Sequence, residues 1–177
     1  MIKAIVHERI HHHRGRVIDV GTEDVTLPSG IRTKLDVIKH PGASCVLPLS
    51  GDGKVTLIRQ FRHCANGWLW EAPAGTLEPG ESPRDCAHRE TIEEAGLIPG
   101  ELRPVGHIFT APGFTDEKIY LWLALDCTKA PQQLDHDEVI TEVKEMSEAE
   151  VDDMLRRGDI CDAKTISVLM QARLHMR

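Results

Sequence analysis

The segment from Ser82 to Gly96 constrains the fold of this chain more than any other part of the sequence. Ser82 followed by Pro83 is typical of an N-cap with proline in the first helical turn, and Asp85 places a negative charge at the positive end of the helix dipole. Gly96 is placed to end the helix in the left-handed conformation. The sequence therefore predicts a short helix over residues 83–95 whose two ends are both fixed.

Two acidic residues of this helix lie on the same face. Glu90 and Glu94 are four positions apart, so their carboxylates stand one above the other and repel each other. Either both remain in solvent, which is the usual fate of a charge run, or they hold a cation between them. Hard divalent ions such as Mg²⁺ prefer carboxylate oxygens. Arg89 pairs with Glu93 at i, i+4, so it offsets part of the negative charge and acts structurally.

The N-terminal forty residues have the pattern of an antiparallel meander. We predict strands at residues 16–20, 23–27 and 31–38, with a turn at Pro28–Gly30 between the last two. The consecutive histidines at positions 11–13 invite a metal-binding or purification-tag interpretation. Consecutive side chains do not point to one side of a strand or helix, so an exposed polar stretch is the favoured interpretation.

The rest of the chain alternates between strand and helix patterns. Ser147 with Glu150 and, later, Asp162 are typical starts of two C-terminal helices, which end near residues 157 and 175. Apolar runs of strand length surround the three helices. Together they predict an α/β (α+β) fold with a mixed sheet, and the predicted strands of this region are residues 43–49, 54–59, 68–72, 119–125 and 139–146.

The composition excludes several classes of function. A formal net charge of −7 gives no basic footprint for nucleic acid or an anionic membrane. No apolar run reaches the roughly 20 residues of a membrane span, and the first residues lack the apolar region of a secretion signal. The five cysteines are widely spaced without a C-x-x-C pair, so they indicate neither disulfides nor a zinc site. We expect a cytoplasmic globular protein that binds neither nucleic acid nor membrane.

The acidic segment resembles the box of the Nudix hydrolases, G-x5-E-x7-R-E-U-x-E-E-x-G-U, in which U is aliphatic. The one departure is Thr91 at an aliphatic position, and threonine is β-branched and similar in volume to valine. The match is specific because seven fixed identities fall in register. The residues in register are Gly75, Glu81, Arg89, Glu90, Glu93, Glu94, Gly96 and Leu97.

Three further segments resemble the ADP-ribose pyrophosphatase group of that family. They are RQFR at residues 59–62, EAPAG at 71–75 and APGFTDE at 111–117, in which Pro112 stands at the group's usual distance from the box. The resemblance covers residues 15–146. It implies a Nudix-type α/β/α sandwich with a mixed sheet plus an N-terminal antiparallel β meander. Residues 1–39 would be a dimerisation layer and residues 40–177 the Nudix hydrolase domain with C-terminal helices.

The resemblance also implies roles for individual residues. Glu90 and Glu94 would bind Mg²⁺, for which Mn²⁺ is a possible substitute, with the Ala74 carbonyl as a backbone ligand and Glu81 acting indirectly or through water. Glu93 and Arg89 would be catalytic residues together with the base. The acidic stretch at residues 135–138 corresponds to the loop that carries the base, for which Glu138 is favoured and Asp135 and Asp137 are alternatives. The implied substrate contacts are Arg62, Arg59, Glu71, Phe114 and Thr115.

The function implied by the resemblance is Mg²⁺-dependent hydrolysis of a nucleoside diphosphate sugar. ADP-ribose, cleaved to AMP and ribose 5-phosphate by a homodimer, is the leading hypothesis. The alternatives are hydrolysis of another capped diphosphate, such as GDP-mannose or a dinucleotide, and a Nudix-like domain that binds a nucleotide without cleaving it. A calcium-binding helix is disfavoured because no EF-hand loop is present. The resemblance does not specify the preferred nucleobase, the preferred sugar or the number of metal ions.

Overall fold

The structure is a computed structural model that describes residues 3–176, so residues 1, 2 and 177, at the ends of the two predicted domains, lie outside it. The chain divides into two compact units. The first comprises the chain up to Gly42 together with Phe109–Lys118. The second comprises Ala43–Ile108 and the chain from Ile119 onward. Within the described residues no helix is both long and apolar enough to cross a membrane.

The first unit is built on a three-stranded antiparallel sheet in the order β1-β2-β3. These strands are Ile5–Arg14, Asp19–Thr26 and Arg32–Lys39. The 109–118 segment joins this sheet, since the Ile38 N–H donates to the Phe114 carbonyl at 2.8 Å. An antiparallel meander is therefore present at the N-terminus, as the sequence predicts.

The predicted strand bounds within the meander are wrong at its start. The sequence predicts no strand at the position of β1, and the predicted strands at 16–20 and 23–27 correspond to the single strand β2. The reason is that β1 is exposed at every residue except Arg9 and carries no alternation of apolar and polar side chains. Its histidines are exposed, as expected, and bond to β2 instead: His11 Nδ1 lies 3.1 Å from Asp19, and His12 Nε2 lies 2.7 Å from Thr22.

The second unit contains a four-stranded mixed sheet in the order β7-β4-β10-β9. Strand β4 pairs in parallel with β10 and antiparallel with β7. A separate antiparallel sheet has the order β12-β5-β6, and β11 pairs with β8. The strands are β4 Ala43–Pro48, β5 Val55–Arg62, β6 Gly67–Glu71, β7 Ala74–Thr76, β8 Leu97–Ile98, β9 Glu101–Phe109, β10 Lys118–Leu125, β11 Thr128–Lys129 and β12 Ile140–Met146.

Within residues 3–176, three α-helices pack against the mixed sheet: α1 Pro83–Ala95, α2 Glu148–Arg157 and α3 Ala163–His175. Alternate side chains of β4 face different helices. Cys45 and Leu47 join the larger apolar cluster, to which α2 and α3 contribute, whereas Val46 joins a second cluster with Ala87 of α1. A strand with both faces covered lies at the centre of a sandwich. The predicted α/β class with a mixed sheet is confirmed.

Helix α1 begins and ends as its sequence predicts. The Ser82 side chain accepts a hydrogen bond from the Asp85 N–H, and Pro83 lies in the first turn. Gly96 is left-handed (φ 64°), and its N–H donates to the Ile92 carbonyl at 3.0 Å. Thr91 is fully buried and donates to the Ala87 carbonyl, so it occupies an aliphatic position with its hydroxyl satisfied.

Strand β9 was not predicted from the sequence. Pro104 and Gly106 lie inside it, and both residues weaken a strand pattern because proline removes a ladder donor and glycine removes a packing side chain. The two C-terminal helices were predicted correctly. Ser147 and Glu150 form a capping box on α2, and the Asp162 side chain accepts from the Thr165 N–H at the start of α3.

Candidate active site

Three carboxylates converge at one end of the second unit. Glu90 and Glu94 project from the same face of α1, and Glu138 comes from the loop before β12. Oxygen atoms of all three lie within 4.8 Å of one another. Glu94 is completely buried and Glu90 is 4% exposed. The helical spacing of the sequence therefore results in a buried acidic cluster, and the alternative of a solvated acidic face does not hold for these two residues.

The cluster is electrostatically costly without a cation. Burial raises the pKa of Glu90 to about 7, although the adjacent Arg89 lowers it. Burial, followed by the charge of Glu90, raises the pKa of Glu94 well above its usual range. Burial also raises the pKa of Glu138. Each carboxylate thus requires either a proton or a positive charge beside it.

One oxygen of Glu94 lacks a partner in the described chain. Its Oε2 accepts a hydrogen bond from the Ala74 N–H at 2.7 Å, whereas Oε1 is buried with no hydrogen bond from residues 3–176. A buried carboxylate oxygen left unpaired is unfavourable. This free oxygen, together with the Glu90 and Glu138 oxygens, is the hard-oxygen donor set that divalent cations prefer. The residues present therefore fit a divalent metal site.

Arg89 organises the acidic side chains around the cluster. Its guanidinium donates to Glu81 at 2.9 and 3.0 Å, to Glu90 at 2.6 Å and to Glu93 at 3.0 Å. The i, i+4 pair with Glu93 is the one expected from the spacing. Glu81 also accepts from the Glu78 N–H at 3.0 Å, so both of its oxygens are engaged inside the protein. Arg89 thus holds Oε1 of Glu90 in place.

The loop that carries Glu138 is attached to the C-terminal end of α1. The Gln132 amide donates to the Glu94 carbonyl at 2.5 Å, and the Gln133 N–H donates to the Glu93 carbonyl at 3.1 Å. Glu138 itself accepts from the Asp135 N–H at 3.1 Å. Asp135 and Asp137 are exposed, and in the described chain neither belongs to the carboxylate cluster.

The residues expected to contact substrate occupy three different surroundings. Glu71 is 1% exposed and forms a two-pronged ion pair with Arg62, at 3.0 and 2.7 Å. Arg59 lies at the surface, where it bonds to Glu142 at 2.9 Å and stacks over the Trp68 ring.

Phe114 and Thr115 belong to the other compact unit. Phe114 is exposed, and the Thr115 hydroxyl accepts from the Glu117 N–H at 3.1 Å. The role of these two residues as substrate contacts stays a prediction.

Sequence analysis missed two residues near the Arg62–Glu71 pair. Lys164 forms an ion pair with Glu71, and the Thr165 hydroxyl accepts a hydrogen bond from the Ala72 N–H at 2.8 Å. Both residues lie more than ninety positions along the chain from their partners, so no local spacing indicates them. The cap residue Asp162 is the only local sign that this turn is ordered.

Comparison with known proteins agrees with this geometry. The model of the NUDIX domain family matches residues 38–169, which include the entire carboxylate cluster. The chain belongs to the Nudix family. The family resemblance predicted from the box is therefore confirmed. Divalent metal cations are the general cofactors of Nudix hydrolases.

Individual relatives are similar over nearly the whole chain. An ADP-ribose pyrophosphatase of Bacillus subtilis (strain 168) is 37% identical, covering 97% of this chain and 92% of the relative. A GDP-mannose pyrophosphatase of Cronobacter sakazakii is 34% identical, covering 86% of this chain and 85% of the relative. The crystal structure of an ADP compounds hydrolase superposes with a TM-score of 0.83 over 99% of this chain and 95% of that one, at 22% identity, which supports the Nudix fold.

Gly75 provides a direct test of the metal site. A Cβ at this position would lie 1.5 Å from Glu90 Oε1, so Gly75→Ala is expected to displace the Glu90 carboxylate. We expect Mn²⁺ affinity, measured by isothermal titration calorimetry, to fall at least about tenfold. The free energy of unfolding should change by about 1 kcal/mol or less, because the Glu90 side chain can rotate away.

Gly51→Ala is the matched control, since no atom of the described residues lies within 4 Å of a Cβ there. It should bind Mn²⁺ as the unmodified protein does. Unchanged Mn²⁺ affinity in Gly75→Ala would mean that Glu90 is not a ligand.

Proposed function

We propose that this Nudix protein hydrolyses the diphosphate bond of a nucleoside diphosphate sugar, with ADP-ribose cleaved to AMP and ribose 5-phosphate. The observation that carries the proposal is the convergence of the Glu90, Glu94 and Glu138 carboxylates within 4.8 Å. The Bacillus subtilis relative named ADP-ribose pyrophosphatase supports the choice of substrate. The metal would be Mg²⁺, with Mn²⁺ as a substitute.

The chemistry requires one water and one acidic cluster. The water oxygen forms a bond to one phosphorus while the bond from that phosphorus to the bridging oxygen breaks, and Glu138 accepts the proton of the water. Glu90, Glu94 and the Ala74 carbonyl would hold the cation, and Glu81 would act indirectly. When bound, the cation neutralises the diphosphate and lowers the pKa of the attacking water. Arg89 and Glu93 would keep the carboxylates in place.

Arg62 is the proposed contact to the anionic part of the substrate. Two of its nitrogens, Nε and Nη2, are occupied by Glu71, and its Nη1 makes no hydrogen bond within residues 3–176. The Arg62 side chain is 38% exposed. A fixed, permanently charged fork with a free donor suits a phosphate oxygen. Arg59, Glu71, Phe114 and Thr115 are the other proposed substrate-side residues.

Two alternatives remain within the same fold. The Cronobacter sakazakii relative, named GDP-mannose pyrophosphatase, favours a guanosine diphosphate sugar as the second candidate. A non-catalytic nucleotide sensor is disfavoured, because such a domain has no need of three carboxylates, two of them buried, around one point. We also propose a cytoplasmic location, since all five cysteines are free thiols.

A panel of substrates tests the function. We expect hydrolysis with Mg²⁺ to be fastest for ADP-ribose among ADP-ribose, GDP-mannose and dinucleoside diphosphates. The rate is followed through the phosphate that a coupling phosphatase releases from the products. Glu94→Gln keeps the shape of the side chain but removes its charge, so kcat should fall by about two orders of magnitude or more in a folded protein. No turnover of any member, or near-normal kcat in the Glu94→Gln protein, would contradict the proposal.

The choice of Glu138 as the base gives a second test. Glu138→Gln should lower kcat by at least about a hundredfold with little change in KM, because the side chain acts on water. Asp135→Asn and Asp137→Asn are the matched controls from the same loop and should retain activity. A damaging Asp135→Asn or Asp137→Asn with a silent Glu138→Gln would assign the base to one of those residues instead.

We further propose that the protein is a homodimer in which residues 1–39 form the dimerisation layer and residues 40–177 the Nudix domain. Exposed apolar side chains of the first unit support this, since such side chains in a small sheet favour association. A symmetric dimer is also the commonest soluble oligomer. The exposed side chains include Ile5, Val6, Ile10, Ile31 and Leu35.

Light scattering combined with an activity assay tests the dimer. The chain mass is 19.8 kDa, so we expect a particle of about 40 kDa whose activity falls as it dissociates on dilution. A particle of about 20 kDa that hydrolyses ADP-ribose would show that the meander covers its own chain and that no site is shared.

A further inference from the structure

The first turn of α3 contacts Glu71 and Ala72, which begin the segment that leads to Ala74 at the carboxylate cluster. Lys164 forms an ion pair with the buried carboxylate of Glu71, and the Thr165 hydroxyl accepts the Ala72 N–H at 2.8 Å. Both partners come from the end of β6 and the residue after it. Glu71 and Ala72 are 1% and 0% exposed, so water does not satisfy either group in place of α3.

Asp162 joins the two contacts into one unit. Its Oδ1 lies 3.1 Å from Lys164 Nζ. Its Oδ2 accepts the Thr165 N–H at 2.9 Å and the Thr165 hydroxyl at 2.6 Å. The hydroxyl proton of Thr165 is therefore committed to Asp162, which leaves the oxygen oriented to accept from Ala72. We call Asp162, Lys164 and Thr165 the α3 clamp.

The clamped segment leads in both directions to the proposed site. Glu71 holds the guanidinium of Arg62 through two of its nitrogens. On the other side, Ala74 is two residues after Ala72 and donates its N–H to Glu94 Oε2 at 2.7 Å. Pro73 lies between them and limits backbone rotation. The α3 clamp is thus one contact away from Arg62 and one short segment away from Glu94.

Charge explains why a lysine belongs in the clamp. Glu71 would otherwise be a buried carboxylate with a single cation, and all of its charge would be balanced by Arg62. Burial alone would raise the pKa of Glu71, but the hydrogen bonds and charges of Arg62 and Lys164 outweigh burial and lower it. With Lys164 sharing the Glu71 carboxylate, the guanidinium of Arg62 keeps more of its positive potential for an anion outside.

We propose that the α3 clamp positions the active site, with Lys164 acting through Glu71 on the substrate-side Arg62 and Thr165 acting through Ala72–Ala74 on the metal ligand Glu94. This inference rests on the proposed function for the part that concerns Arg62. The part that concerns Glu94 requires only that the cluster binds a divalent cation. Lys164 and Thr165 are positioning residues, since neither is expected to touch the substrate or the metal.

Thr165→Val tests the contact to Ala72 because it removes the hydroxyl and keeps the branched shape. We expect faster hydrogen exchange of the Ala72 and Ala74 amides in the metal-free protein. We also expect Mn²⁺ affinity, measured by electron paramagnetic resonance, to fall about tenfold. Thr165→Ser retains the hydroxyl and should restore both properties.

Ser167→Ala is the matched control, since that hydroxyl lies on α3 and, within the described part of the chain, bonds only to the Ala163 carbonyl of its own helix. Thermal melts would establish that each variant is folded. Normal Mn²⁺ affinity and amide exchange in folded Thr165→Val would overturn the proposal, as would equal losses in Thr165→Val and Ser167→Ala or no restoration by Thr165→Ser.

Lys164→Met tests the contact to Glu71. With the substrate that the panel identifies, we expect KM to rise about tenfold while kcat changes by less than about twofold, because binding through Arg62 is weakened equally in the ground state and the transition state. An unchanged KM in folded Lys164→Met would overturn this arm. If the panel finds no substrate, the proposed function fails, and the Mn²⁺ measurements on Thr165→Val still decide the clamp.

Discussion

The mutual repulsion of three clustered carboxylates is the constraint on which the rest of the second unit depends. Glu90, Glu94 and Glu138 meet within 4.8 Å, two of them almost without solvent. Such a cluster persists only if the surrounding chain holds each side chain and a positive charge is nearby. The protein meets the first requirement with hydrogen bonds from Arg89 and the Ala74 N–H. A divalent cation bound between the carboxylates would meet the second requirement, a positive charge nearby.

The two arginines of the site, Arg89 and Arg62, differ in how many of their donors are occupied. Arg89 donates to three carboxylates, whereas Arg62 donates to Glu71 and its Nη1 makes no hydrogen bond within residues 3–176. Two arginines in similar acidic surroundings therefore differ in what they offer to a ligand. The difference comes from the number of acceptors around each guanidinium and not from the residue type.

The sequence predicted what depends on local spacing and failed where distant segments meet. The capped helix α1, its i, i+4 carboxylates and the Arg89–Glu93 pair follow from positions a few residues apart. Strand β1 was missed because its ladder with β2 forms without an apolar face. Lys164 was missed because its partner Glu71 is far along the chain, and nothing near Lys164 indicates burial. The resemblance to a family was needed to bring Glu138 to the site.

Because the Glu138 loop is attached to the end of α1, the length of that helix determines where the loop lies relative to Glu90. Ser82 sets where the thirteen residues of α1 begin and Gly96 where they end, while the carbonyls of Glu93 and Glu94 hold the following loop. One residue inserted between Glu90 and Glu94 would rotate everything after it by about 100° relative to Glu90. Glu94 and the anchor of the Glu138 loop would then turn together away from Glu90. A one-residue insertion or deletion between Glu90 and Glu94 is therefore expected to disrupt the carboxylate cluster.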